Sequence, residues 1–173
     1  MDISEESFDD KSITQALFDY IRSILPDGKT ILELGSGWAT GQLAKHYIMY
    51  SVEHDEEYLD KYDTTYFHVP LKEHKPMHNH KTTIWYDPII LKDMLAGLEY
   101  DLLLIDGPPH NRSGFFKYFD LFDETVIIVH DDIQREADRA VVNSICSRLK
   151  CPYTVRGNGE GKPFGVINDP NTR

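Results

Sequence analysis

The sequence contains few cysteines and no long apolar run. Its only two cysteines, Cys146 and Cys151, fit neither a disulfide framework nor a zinc module, and such sparse usage favours a reducing compartment, which we expect to be the cytoplasm. No apolar segment approaches the ~20 residues that span a bilayer, and residues 1–10 are acidic where a secretion signal would be basic and then apolar. We therefore expect neither a membrane-spanning segment nor an export signal.

Basic residues are also scarce. Eighteen Lys and Arg stand against 29 Asp and Glu in a chain of 173 residues, which gives a formal net charge of −11 at pH 7. Such a balance opposes binding to polyanions, because that binding depends on phosphate neutralisation by Lys and Arg. We expect no nucleic acid and no membrane among the partners, although a local basic patch stays compatible with the composition.

What the chain does have is a regular alternation of helical and extended patterns. Helices are predicted over residues 12–25, 40–47, 55–62, 88–98, 115–122 and 135–149, the first of them with a capping box formed by Ser12 and Gln15. Strands are predicted over residues 30–34, 48–53, 65–71, 100–105 and 125–129, before a hairpin that pairs 153–155 with 164–167. Uninterrupted apolar strands are typical of a parallel sheet covered on both faces.

These patterns predict an α/β fold with a doubly wound, Rossmann-like, mostly parallel sheet and a C-terminal antiparallel hairpin. No repeat or linker interrupts the chain, so we expect a single domain over residues 1–173. Its parts would be an N-terminal helix in 1–28, a ligand-binding core in 29–132, and a closing helix and hairpin in 133–173. Ligands bind such sheets at the carboxyl ends of the strands.

A glycine-rich turn follows the first strand. Gly35-Ser36-Gly37 permits close approach of the backbone to a ligand, although the same residues also suit an ordinary turn. Glu33 would repel a dinucleotide pyrophosphate and would suit a cationic ligand such as an ammonium group. Thr40 occupies the place of the last glycine in Gly-x-Gly-x-x-Gly.

A second acidic residue, Glu53, ends the next strand. A carboxylate at this place accepts hydrogen bonds from the ribose hydroxyls of a nucleoside in Rossmann-like sites. The alternative, a carboxylate that interacts with a helix N-terminus, suits Asp55 better.

Taken together, these segments resemble the motifs of class I S-adenosylmethionine-dependent methyltransferases. The resemblance rests on Glu33 to Gly37, on Val52 to Asp55, on Tyr100 to Pro109 and on Thr125 to Asp132. It implies S-adenosylmethionine as the cofactor, with Gly35, Ser36 and Gly37 along the methionine moiety, Glu53 on the ribose, and His54, His68 and Val69 beside the adenine. Ala39 departs from the family's third glycine.

The loop after the fourth predicted strand is a candidate active-site loop. Asp106 ends that strand, two prolines follow, and His110 comes four residues after the aspartate. An imidazole titrates near neutral pH and can act as a general base toward a hydroxyl. The alternative is a surface loop that Pro108 and Pro109 stiffen.

His130-Asp131-Asp132 follows the fifth predicted strand, which we expect to lie beside the fourth. With Asp106, the two aspartates would form an oxygen-rich group suited to Mg²⁺, Mn²⁺ or Ca²⁺, similar to the metal-dependent catechol and caffeoyl O-methyltransferases. Alternatively an aspartate caps the next helix and His130 belongs to the core. Because no complete oxygen ligand set is visible, we favour a metal-independent base.

Two further groups have structural interpretations. His74, His78 and His80 have metal-ligand spacing, but a solvated loop explains them better in a stretch with no cysteine. Trp85 and Tyr86 suit either a substrate contact or core packing.

The function that follows is methyl transfer to a small-molecule or sugar acceptor, at oxygen. Asp106, His110, His130 and Asp131 would surround the transferred methyl group. The alternatives are an NAD-dependent oxidoreductase, disfavoured by Glu33 and by the glycine spacing, and a nucleotide-binding module without catalysis.

Overall fold

A seven-stranded mixed sheet forms the centre of the molecule. The structure is a computed structural model that describes residues 13–74, 83–109, 112–157 and 162–172. The strand order is β3-β2-β1-β6-β7-β9-β8, with β1 Thr30–Leu34, β2 Ile48–Glu53, β3 Thr65–His68, β6 Leu102–Ile105, β7 Ile127–His130, β8 Tyr153–Arg156 and β9 Phe164–Ile167. The strands from β3 to β7 in this order run parallel to one another, whereas β9 pairs antiparallel with both β7 and β8. This confirms the predicted α/β fold and its closing hairpin.

The central strands are apolar because helices cover both faces of the sheet. All four residues of β6 are buried, as are Ile31 to Leu34 of β1. Side chains alternate between the faces, so one core cluster includes Leu32 and Leu103 while the other includes Ile31 and Leu102. Continuous burial explains why these strands read as uninterrupted apolar runs.

The described residues form five α-helices: α1 Gln15–Ile24, which precedes β1, and then α2 Trp38–Leu43, α3 Pro88–Leu95, α4 Ser113–Lys117 and α5 Glu136–Leu149. The start of α1 differs from the prediction. Thr14 is its N-cap and accepts a hydrogen bond from the Leu17 amide. The helix therefore begins after Thr14 and not at the predicted capping box. Ser12 lies outside the described residues. The segment predicted as a helix over 55–62 forms a single 3₁₀ turn, Glu56–Tyr58, and the helix predicted over 115–122 forms as α4 followed by a 3₁₀ turn at Phe119–Leu121.

The third strand is shorter than predicted. It ends at His68, and the chain then forms a separate antiparallel pair, β4 Leu71–His74 with β5 Thr83–Tyr86. Pro70 lies at the break, where proline has no amide hydrogen to donate to a ladder. His78 and His80 fall outside the described residues, and His74 is buried with Nδ1 2.7 Å from the Tyr118 hydroxyl.

Trp85 and Tyr86 belong to the core rather than to an exposed substrate surface. Both side chains are fully buried, and the Trp85 ring stacks on Tyr118 with centroids 5.6 Å apart. Of the two interpretations open from sequence, packing is therefore correct.

Among the described residues, none of the helices combines the length and the apolar character needed to cross a lipid bilayer.

Candidate functional site

The strand order reverses at β1, whose neighbours are β2 on one side and β6 on the other. Parallel sheets bind ligands outside the strand ends at such a switch point. Here the loops after β1 and β6 touch through two glycines: a Cβ on Gly35 would lie 2.8 Å from the Gly107 Cα, and one on Gly107 would lie 2.7 Å from the Gly35 Cα. Gly35 also has φ +87°, which disfavours any side chain. The switch point therefore requires glycine on both sides.

A cavity of about 830 Å³ opens above this glycine contact. Its walls come from the loops after β1, β2, β6 and β7, together with Lys162. The lining residues are Gly35, Ser36, Glu53, His54, Asp55, Tyr58, Asp106, Gly107, Pro108, Pro109, Arg112, Asp132, Arg135 and Lys162. The volume lies in the range of small-molecule and cofactor sites.

Glu53 is the central polar group on the β2 side of the cavity. It is 3% exposed. Its Oε1 accepts hydrogen bonds from the amides of His54 and Asp55 at 2.6 and 2.8 Å, and its Oε2 accepts one from the Ser36 amide at 2.9 Å. A carboxylate offers about four lone-pair positions, so one acceptor position is left on Oε2. Glu53 therefore keeps one acceptor position for a hydrogen bond from a ligand hydroxyl.

The residues predicted to lie beside the adenine do not all reach the cavity. His54 lines it. His68 does not, and its Nε2 lies 3.2 Å from the His54 carbonyl oxygen. Val69 is fully buried in the core, so the structure does not bring it to the cavity surface. Gly37, also expected beside the ligand, uses its amide to donate to Thr40 Oγ1 at 3.0 Å.

Glu33 lies beneath the cavity instead of lining it, which corrects the role expected for this residue. It is 2% exposed, and its Oε2 accepts hydrogen bonds from Thr40 Oγ1 at 2.8 Å and Ser51 Oγ at 2.9 Å. Burial raises the pKa of Glu33 to about 8. The two hydrogen bonds connect β1 to α2 and β2. Because the group is mostly protonated at neutral pH, it does not repel a pyrophosphate.

The ends of β6 and β7 form the opposite wall. Asp106, Asp131 and Asp132 each offer a carboxylate oxygen, and these oxygens lie within 4.8 Å of one another. Asp106 and Asp132 line the cavity, whereas Asp131 is 1% exposed and does not. Burial, reinforced by Asp106 and Asp132, raises the pKa of Asp131 to about 8, so Asp131 is largely neutral at pH 7.

Arg112 is the key residue that sequence reasoning missed. Its side chain is 3% exposed. Nη2 donates to the Asp106 carbonyl oxygen and lies 3.4 Å from Asp106 Oδ1 and 3.3 Å from Asp132 Oδ2, while Nη1 donates to the Asp131 carbonyl oxygen at 3.2 Å. The only sequence signal was its position at the end of the Asp106 loop.

The aspartate group does not fit a divalent-cation site, because the Arg112 guanidinium already lies between the oxygens of Asp106 and Asp132. Arg135 and Lys162 also pair with Asp132. A metal ion at this place would face three positive side chains. The wall is organised instead as a network of buried carboxylates and cations.

Of the two histidines proposed as bases, the structure describes His130. His110 lies outside the described residues. His130 is 1% exposed and does not line the cavity, and burial together with the Arg112 charge lowers its pKa to about 3. A base must reach the proton that it removes, so His130 is a core residue, which was the alternative left open from sequence.

Comparison with solved structures identifies the fold. No protein-family model matches the chain, and no curated protein matches it. The MycE methyltransferase of the mycinamycin biosynthetic pathway, solved with Mg and SAH, is 14% identical with a TM-score of 0.56, over 88% of this chain and 48% of that one. The chain thus spans about half the length of that enzyme.

Two further structures share the architecture. The precorrin-6y C5,15-methyltransferase from Geobacter metallireducens is 14% identical with a TM-score of 0.55, over 96% of this chain and 95% of that one. MtNAS in complex with MTA and tNA is 14% identical with a TM-score of 0.51, over 89% of this chain and 59% of that one. At such identities the likeness establishes the fold.

Replacing Arg112 with methionine tests the carboxylate–cation wall. We expect Arg112→Met to lower the free energy of unfolding by about 3–5 kcal/mol, because it leaves buried carboxylates without their counter-charge. Urea denaturation measures the loss. The matched control is Arg148→Met: Arg148 pairs with the exposed Asp120, and surface pairs contribute about 0–1 kcal/mol. Equal effects of the two substitutions would contradict the assignment.

Replacing Glu33 with glutamine tests its protonation. The folded-state pKa of Glu33 is raised from 4.5 to about 8, so its stabilising contribution is complete below the unfolded value and is lost as pH rises through 8. Between pH 6 and 8 we expect the wild type to lose stability relative to Glu33→Gln by up to about 1.4 kcal/mol per pH unit. Unfolding curves at several pH values measure this difference.

The other buried carboxyls, Asp131 among them, are present in both proteins, so the difference between the two stability curves reports the substitution at Glu33. The exposed Glu57→Gln should parallel the wild type. A constant offset between the wild type and Glu33→Gln over this range would show that Glu33 is ionised when folded.

Proposed function

Because the chain has the fold of class I S-adenosylmethionine-dependent methyltransferases, we propose that it binds S-adenosylmethionine at the switch point and transfers the methyl group to an acceptor. The observation that carries the proposal is the placement of Glu53 and the Gly35–Ser36 turn on one cavity wall, joined by the bond between the Ser36 amide and Glu53 Oε2. MycE, which shares the fold, is described in complex with SAH.

The acidic wall of the cavity fits this cofactor. Glu53 Oε2 has one acceptor position for a ribose hydroxyl, and Asp55 adds a second carboxylate to the same wall. S-adenosylmethionine carries a sulfonium and an ammonium group, which negative charge stabilises. His54, with Nδ1 2.9 Å from Glu53 Oε1, supplies a ring at the place proposed for the adenine.

An NAD-dependent oxidoreductase remains the second candidate, and Glu33 no longer argues against it, since this carboxyl is buried and mostly neutral. The fold likeness to methyltransferases favours the first candidate. A binding module without catalysis would share the cofactor contacts and lack turnover.

Bound S-adenosylmethionine supplies a methyl group on a positively charged sulfur. In our proposal the protein aligns the acceptor with that group, and positioning provides most of the rate enhancement. Asp106 is the partly exposed carboxylate at the strand end nearest the glycine contact, and partial burial raises its pKa against the opposing charge of Arg112. We propose Asp106 as the group that receives or orients the acceptor proton, with a hydroxyl of a small molecule or sugar as the acceptor.

Cofactor binding is tested by calorimetry with S-adenosylhomocysteine and NAD. We expect the first to bind and the second not to. Glu53→Gln should weaken S-adenosylhomocysteine binding by about 1.5–3 kcal/mol, the range for hydrogen bonds to a charged group. Glu57→Gln, an exposed acid in the same loop, should bind as the wild type does. Binding of NAD without binding of S-adenosylhomocysteine would refute the proposal and support an NAD-dependent oxidoreductase.

The role of Asp106 is tested with methyl-labelled S-adenosylmethionine and an extract that supplies acceptors. We expect Asp106→Asn to reduce label transfer by about 100-fold or more, as for loss of a general base, with S-adenosylhomocysteine affinity within about threefold of the wild type. Chelator should leave wild-type transfer unchanged. Near-normal transfer by Asp106→Asn would refute the assignment, and inhibition by chelator that Mg²⁺ reverses would establish a metal mechanism.

A further inference from the structure

Three cations line one wall of the cavity in a chain whose net charge is −11. Resting on the proposed function, we propose that the methyl acceptor carries an oxyanion, a carboxylate or phosphate group, and that Arg135 and Lys162 bind it. This deepens the function of the same site by giving the chemical class of its acceptor.

Asp132 holds the cations in place from below. Its Oδ2 pairs with Arg135 and lies 3.3 Å from Arg112 Nη2, and its Oδ1 lies 3.8 Å from Lys162 Nζ. The Asp132 side chain is only 4% exposed. Although burial raises it, the pKa of Asp132 is lowered on balance by Arg112 and its other partners, so this carboxylate stays charged and anchors the cluster.

Arg135 and Lys162 are far more exposed at the cavity than the carboxylates that pair with them. The side chains of Arg135 and Lys162 are 43% and 38% exposed, whereas those of Asp132 and Asp138 are 4% and 0% exposed. Arg135 has five N–H donors, and Asp132 accepts from Nη2 alone. A ligand entering this end therefore meets hydrogen-bond donors with positive charge.

The basic wall and the acidic wall lie three strand positions apart in the sheet. Glu53 ends β2 and Asp132 follows β7, with β1 and β6 between them. Three strand spacings amount to about 14 Å. The two walls are therefore far enough apart for a nucleoside at Glu53 and a second molecule at Arg135 and Lys162.

The cofactor carries an oxyanion too, the carboxylate of its methionine moiety. If that group occupied the cations, loss of Arg135 and Lys162 would weaken cofactor binding as strongly as it weakens binding of a separate anion. Measuring both affinities in the same variants distinguishes these sources.

The experiment titrates inorganic phosphate into the full chain saturated with S-adenosylhomocysteine, at constant ionic strength, and follows the unfolding temperature, because a ligand stabilises the folded state by mass action. We expect saturable binding by the wild type. The double variant Arg135→Gln/Lys162→Gln should bind phosphate about tenfold more weakly or worse, since it loses two charge-assisted contacts. Its affinity for S-adenosylhomocysteine should stay within about twofold, which also shows that it is folded.

The matched control, Lys45→Gln/Lys92→Gln, removes the same charge from two exposed positions outside the cavity lining and should bind phosphate as the wild type does. Absence of phosphate binding by the wild type, an equal loss in the control, or an equal loss of S-adenosylhomocysteine affinity in the double variant would each overturn the proposal. If the wild type does not bind S-adenosylhomocysteine, the proposed function fails instead, and titration of the unloaded chain still tests the cation pair.

Discussion

A single buried guanidinium connects the parts of this site. Arg112 joins the end of β6, through the carbonyl and carboxylate of Asp106, to the end of β7, through the Asp131 carbonyl and the Asp132 carboxylate. Burying this charge is costly, and only several well-placed acceptors compensate that cost. The geometry of both strand ends therefore depends on Arg112. The same positive charge offsets the negative charge of the aspartates around it, which include Asp138 as well.

The sheet and the glycine contact explain why these groups meet at a cavity. Parallel strands bring their carboxyl ends to one edge, and the reversal of strand order at β1 leaves a crevice there. The approach of Gly35 to Gly107 sets the floor of that crevice. Ser36 then lies close enough to donate to Glu53, so backbone contacts, more than side-chain packing, shape the cofactor wall.

Periodicity and strand-end position predicted the sheet, its hairpin, and the location of Glu53 and Asp106, because these features depend on local pattern and on general properties of parallel sheets. How deeply each side chain is buried was not predictable from the sequence. Glu33, His130 and Val69 occupy the right strand ends, yet packing places them below the cavity. The β4–β5 pair and the role of Arg112 depend on contacts between segments distant in sequence, for which no local pattern exists.

Burial of the aspartate side chains also explains how an acidic chain can have a basic cavity wall. Composition counts Asp106, Asp131, Asp132 and Asp138 as four negative charges, but a ligand meets little of them: the last three are buried, and burial raises the pKa of Asp106, Asp131 and Asp138. Arg135 and Lys162 reach solvent over the same carboxylates. The field in the cavity thus follows from which charges are accessible and ionised, so a net charge of −11 argues against polyanion binding over the whole surface and leaves room for a small anion at this wall.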